Sequence, residues 1–159
     1  MTERLSSGPE EKLRAKGLQL PCVEAPSFNY EPLSIHNGVI YLAGHLAKEG
    51  DVIRERGRVG VEVSESEAAR QMTLCAQLVL ARLKQHLGSL DPVQQILHMH
   101  AYVACDHQYE NISLLADHAS DVFITAFGDA GRHPRSVLGM TRLPQNAPVM
   151  IDVRVAVAS

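Results

Sequence analysis

Apolar residues recur at helical spacing in two stretches of the chain. Met72, Ala76, Val79, Leu83 and Leu87 form one stripe, as expected of a helix that buries one face. Ser64 and Glu67 stand ahead of it at capping-box spacing and Gly88 follows it, so the pattern predicts a helix over 65–87. Ile112, Leu115, Ala119, Val122, Phe123 and Ala126 form a second stripe, predicting a helix from about Asn111 to Phe127 that Gly128 stops. Elsewhere the period is two. Val149, Ile151, Val153, Val155 and Val157 alternate with Met150, Asp152 and Arg154 in a long closing strand, the signature of a sheet with one buried face. In a strand over 96–104, period two places Leu97, Met99, Ala101 and Val103 on a face that packs under the helices. Ile96, His98, His100 and Tyr102 fall on the other face, which is too polar for a deep core and suits a subunit interface.

Turn chemistry supplies the rest. Asn37-Gly38 between Leu33–His36 and Val39–Ala43 is a hairpin signal, because both residues tolerate positive φ. Gly44-His45-Leu46 is expected to close the second strand, and Glu49-Gly50-Asp51 to turn before a short edge strand or loop over 52–61. Near the start, Ser7 is placed to cap a short helix that Gly17 ends, and Pro21 and Pro26 keep the following segment extended. Pro144 to Pro148 turns the chain between a strand over 136–143 and the closing strand. The order is two strands, helix, strand, helix, two strands, an α+β arrangement with both helices on one face of the sheet. Residues 1–159 read as one domain, with 1–27 as an N-terminal helix and extended lead-in.

Charge removes some classes of function. A formal net charge of -3 and 4% aromatic residues leave no basic footprint for nucleic acid. Met1-Thr2-Glu3-Arg4 lacks a signal-peptide pattern, and no apolar run approaches membrane-spanning length. Three cysteines, Cys22, Cys75 and Cys105, form no C-x-x-C pair and read as buried free thiols of a cytoplasmic protein.

The stretch Gly131 to Gly139 leaves the second helix and launches a strand with Arg135 at its mouth. Pro134 holds the backbone extended there. A guanidinium so placed either grips a carboxylate through parallel hydrogen bonds or serves as an ordinary surface or interface charge. Eight histidines invite a metal reading, and His98-x-His100 puts two imidazoles on one strand face. No third ligand stands at a recognisable spacing, so no metal is assigned. His86 and His107 are expected to face solvent.

Four stretches then combine: Asn29-Tyr30 with Ala43-Gly44-His45; Gly88 to Val93; Phe127 to Ser136; and Leu143-Pro144 before the closing strand. In this order and spacing the chain resembles the RidA family, also called YjgF-like proteins, and in particular its longer branch. The resemblance covers most of the chain and implies a chorismate-mutase-like α+β fold. It also implies assembly as a homotrimer, with a central barrel of sheets, helices outside and clefts between subunits. Better characterised members of that family hydrolyse 2-imino or 2-enamino acids to 2-oxo acids and ammonia without metal or organic cofactor. The family's carboxylate-gripping arginine falls on Arg135 and its cleft tyrosine on Tyr30. Its small-residue-plus-glycine pair falls on Ala43-Gly44, with His45 where glutamine is usual. Backbone groups near Gly44 and Val137 would hold the imine. The family's water-orienting glutamate falls on Met150, whose thioether cannot relay a proton. Val137 stands where many deaminases have cysteine, and Asp117 where an asparagine often lies.

Three functions follow as expectations. The first is deamination, with Arg135 and Tyr30 holding the substrate and His45, His133 or Asp117 as candidates for water activation. The second is a non-catalytic trimer that binds a small carboxylate as sensor or regulator, which accommodates Met150. The third, an endoribonuclease or translation inhibitor, is disfavoured by the acidic balance.

Overall fold

The computed structural model describes residues 7–159; Met1–Arg4, read above for a signal-peptide pattern, lie outside the described residues. The elements in chain order are α1 (Pro9–Ala15), β1 (Leu33–His36), β2 (Val39–Leu42), β3 (His45–Leu46), β4 (Lys48–Glu49) and β5 (Val52–Ile53). They continue with α2 (Glu65–Leu87), β6 (Val93–Ala104), α3 (Ile112–Phe127), β7 (Arg135–Met140) and β8 (Val149–Val157). The main sheet is ordered β1-β2-β8-β6-β7, with β3 pairing on β8, and is antiparallel except for the β6–β7 pair. That parallel pair needs a crossover, which α3 provides.

The fold is the expected mixed α+β arrangement. Val149, Ile151, Val153, Val155 and Val157 of β8 are all buried, as are Met99, Ala101 and Val103 of β6. With Met72, Cys75, Ala76, Val79 and Leu83 of α2 and Leu115, Ala119 and Phe123 of α3 they form one core. Both long helices therefore lie on the valine face of the sheet. The opposite face carries Met150, Asp152, His100 and Tyr102, half-buried in the single chain, and the exposed Arg154.

α2 begins and ends where its stripe and caps predict. The Glu67 amide donates to Ser64 Oγ at 3.1 Å, while the Glu67 carboxylate turns to Arg70 and Gln71 instead of closing the box. The Asn37-Gly38 hairpin forms with φ of 50° and 76° at the two turn residues.

Five local expectations are corrected. Gly8, not Ser7, occupies the N-cap of α1, because Pro9 takes the first helical position. Residues 43–46 do not extend β2: the chain breaks at Ala43-Gly44 and restarts as β3 on the same neighbour, β8. Leu97 is the extra residue of a β-bulge, since Ile96 pairs with Val155 and His98 with Arg154. The bulge turns Ile96 into the core beside Met99 and leaves Leu97 half-buried. Cys22 is exposed, whereas Cys75 is buried, and burial pushes the Cys75 thiol pKa far above its ordinary value. The strand carrying Arg135 spans 135–140 rather than 136–143, with Leu143 buried against Ala104 and Ala147.

Candidate functional site

The break between β2 and β3 makes one wall of a cavity of about 480 Å³, a size suited to a small organic ligand. Ala43, Gly44, His45 and Leu46 line that wall, and Met150 of β8 lines it from the neighbouring strand. The extended lead-in supplies a second wall, Cys22 to Phe28 with Tyr30 and Pro32, and α2 contributes Leu78 and Arg82. Leu78 and Arg82 are one helical turn apart and so share a face. The lead-in is held on α2 by two side chains, Gln77 Nε2 donating to Gln19 O and Arg82 Nη2 to Glu24 O, both at 2.7 Å.

Chemistry within the cavity centres on His45. Its Nδ1 lies 2.7 Å from the Ala43 carbonyl, which can only accept, so Nδ1 carries the proton and Nε2 keeps its lone pair. The ring is 9% exposed, and burial, with the Arg82 charge adding to it, lowers its pKa to about 4. The imidazole is thus neutral at physiological pH. Tyr30 is 51% exposed and lines the same space. Gly44 allows a close approach: a Cβ there would lie 2.7 Å from Met150 Sδ. Met150 Sδ of β8 thus packs directly on the Gly44 backbone.

Arg135 lies elsewhere. At the start of edge strand β7 it pairs across to Met99, two strands from β8. Its guanidinium points to α3, with Nη1 donating to Ser120 Oγ at 2.9 Å and Nη2 to Ser113 O at 3.0 Å and Asp117 Oδ1 at 2.8 Å. The Ser120 hydroxyl donates a hydrogen bond to His133 Nε2 at 3.1 Å, because His133 Nδ1 donates to Gly131 O at 2.6 Å. Burial lowers the His133 pKa, which keeps it neutral in that role. One chain thus contains two clusters. Tyr30, Ala43, Gly44, His45 and Met150 meet in the cavity, while Arg135, Asp117 and His133 meet at the α3–β7 edge and Val137 packs against the core.

Two groups escaped the sequence reading. Asp152 accepts from Tyr102 OH at 2.7 Å and bonds His100 Nδ1 at 2.9 Å. The antiparallel register of β6 and β8 sets His100 opposite Asp152, a pairing that neither strand's sequence shows alone. His98 and His100 stack edge to face at 4.6 Å, and among the described residues no three His, Cys, Asp or Glu side chains converge on a metal position. Arg82 is the second group; nothing local marks it, because its neighbour is a lead-in 58 residues away in sequence.

The fold and the cleft together define a chorismate-mutase-like protein of the Rid type. The family model described as YjgF/chorismate mutase-like, with endoribonuclease as a candidate activity, matches residues 10–156. A protein of unknown function from Agrobacterium tumefaciens is 33% identical, with a TM-score of 0.85 over 94% of this chain and 91% of that one. A candidate endoribonuclease from Shewanella oneidensis is 28% identical, with a TM-score of 0.90 over 95% and 100%. Protein TCP17 of Trypanosoma cruzi is 28% identical over 90% of both chains. The chain belongs to the RidA/YjgF-like family. No helix among the described residues is long and apolar enough to cross a membrane.

Proposed function

We propose that the protein assembles as a homotrimer and binds a small carboxylate in clefts between subunits, where it hydrolyses 2-imino acids to 2-oxo acids and ammonia. The cavity around His45 carries this reading. Its lining includes His45, with a fixed Nε2 lone pair, together with Gly44 and Tyr30, and a neutral imidazole can hold a water by accepting a hydrogen bond from it. Water adds to the imine carbon, and the carbinolamine expels ammonia as the carbonyl forms. A base with a pKa of about 4 abstracts protons weakly, so His45 orients the water more than it activates it. In the trimer, Arg135 of a neighbouring subunit would meet the ligand carboxylate at the cavity mouth. That arrangement fits the separation of the two clusters within one chain. Sedimentation velocity tests the trimer. Ammonia release from freshly generated 2-iminobutanoate tests the chemistry: wild type above buffer and Arg135→Ala at buffer level is the expected result. Wild type and Arg135→Ala both matching buffer would reject the enzyme.

A second reading is a non-catalytic trimer that senses a small carboxylate. Met150 against Gly44 favours it, since a thioether rather than a carboxylate faces Gly44 from β8. Binding of 2-oxobutanoate without ammonia release would select it. Ribonuclease activity gains no support from an acidic chain without a basic stripe.

A further inference from the structure

We propose that Arg82 gives the cavity a second anion-binding arm, so that the preferred ligand is a 2-oxo or 2-imino acid whose side chain carries its own carboxylate. The inference rests on the carboxylate-binding reading above and adds the class of side chain. Among the described residues four arginines are neither buried nor exposed: Arg58, Arg70, Arg82 and Arg135. Arg58 pairs with Glu62, Arg70 with Glu49 and Glu67, and Arg135 with Asp117. Of the four, Arg82 alone has no carboxylate within ion-pair distance among the described residues. Its hydrogen bonds go to neutral oxygens, Gln85 Oε1 from Nη1 at 3.2 Å and Glu24 O from Nη2. Three of five N–H donors remain, and the buried Nε has no partner.

Partial burial of an unneutralised guanidinium is costly, and desolvation lowers its pKa. Other charges at the cavity do not offset it. Lys48 stands 4.0 Å from Asp51, and Glu24, whose side chain is exposed, meets Arg82 through its backbone carbonyl only. Holding the lead-in does not explain the charge either. Gln77 makes the same kind of bond to Gln19 O with a neutral amide. An arginine that lines the cavity with Tyr30 and His45, and keeps donors free, is suited to an anion arriving in that cavity. With Arg135 of the neighbour on the α-carboxylate, Arg82 would take the distal one.

Calorimetry on the assembled protein with 2-oxobutanoate and 2-oxoglutarate tests this. Wild type is expected to bind 2-oxoglutarate about tenfold tighter, the gain of one charge-assisted contact. Arg82→Met should bring 2-oxoglutarate to the level of 2-oxobutanoate while leaving 2-oxobutanoate within about threefold. Arg82→Lys should keep part of the preference. Gln77→Ala, which loosens the same lead-in without touching the charge, should keep all of it. Equal wild-type affinities, or equal weakening of both acids by Arg82→Met and by Gln77→Ala, would overturn the inference and leave carboxylate binding standing. Silence toward both acids would remove that reading and this one together.

Discussion

Met150 Sδ fills the space that a side chain on Gly44 would need, at 2.7 Å from an ideal Cβ. The contact joins the break between β2 and β3 to the closing strand, and both residues line the cavity. Gly44→Ala forces the flexible thioether aside, at a cost of about 1–3 kcal/mol. Met150→Ala should recover part of that loss, so urea denaturation of the two single variants and the double variant should give a non-additive cycle. Additive effects would mean the two residues do not share that space.

The same contact bears on catalysis. Met150→Glu places a carboxylate beside Gly44, where the family resemblance expects one. If water activation limits imine hydrolysis, ammonia release from 2-iminobutanoate should rise by at least about tenfold, the low side of what a positioned base contributes. An unchanged rate in a folded Met150→Glu trimer would assign water activation to another group.

His45 sets a pH dependence. Its folded pKa of about 4 lies below the ordinary 6.5, so between those values the unfolded chain binds the proton and the folded chain does not. The stabilising difference is fully present above pH 6.5 and is lost as pH falls toward 4. The span corresponds to a change on the order of 3 kcal/mol. Chemical denaturation from pH 4 to 7 should show stability rising with pH, and His45→Gln should flatten the rise. His133, whose pKa is also lowered by burial, leaves a smaller slope of the same sign.

Features set by neighbouring residues were legible in the sequence. α2 could be bounded because its stripe, Ser64 cap and terminal Gly88 all lie within the helix or next to it. The Asn37-Gly38 hairpin was legible for the same reason. The bulge at Leu97 was not, because period two cannot show an extra residue that only pairing with β8 creates. The separation of β3 from β2 was equally silent, since His45 and Leu46 continue an apolar run and change course at the Ala43-Gly44 break. Among site residues, Tyr30, Ala43, Gly44, His45 and Met150 come together in the cavity. Arg82 stayed hidden because its role depends on a lead-in whose path no local pattern specifies. Arg135 was visible as a strand-mouth arginine, but its engagement by Asp117 arises from the packing of α3 on β7.

Gly131 fixes the route into β7. A Cβ at this position would collide with the Phe123 carbonyl, part of the α3 backbone that cannot move aside. Gly131→Ala is therefore expected to destabilise by about 3 kcal/mol or more. Urea denaturation should show a large fall in midpoint, or the variant should fail to fold. A loss below about 1 kcal/mol would mean that the 3-10 turn over Gly128–Gly131 re-forms around the methyl group.

Asp117 decides how much of Arg135 is available to a ligand. It holds Nη2 at 2.8 Å with its own side chain 54% exposed, so the pair adds little to stability. Asp117→Asn should change unfolding free energy by less than about 1 kcal/mol. Its effect on binding should be larger, because the carboxylate it removes competes with the ligand's carboxylate for one guanidinium. If Arg135 anchors the ligand, calorimetry should show 2-oxobutanoate binding tighter to Asp117→Asn by several-fold, with the gain shrinking as salt rises. If Asp117 instead holds Arg135 in the orientation that a ligand needs, the same variant should bind more weakly. Ser120→Ala separates the cases: it removes a neutral contact to Arg135 and His133 and leaves the charge competition intact. Weakening by both variants identifies α3 as the positioning element for Arg135. Opposite effects identify Asp117 as an internal competitor that the ligand displaces.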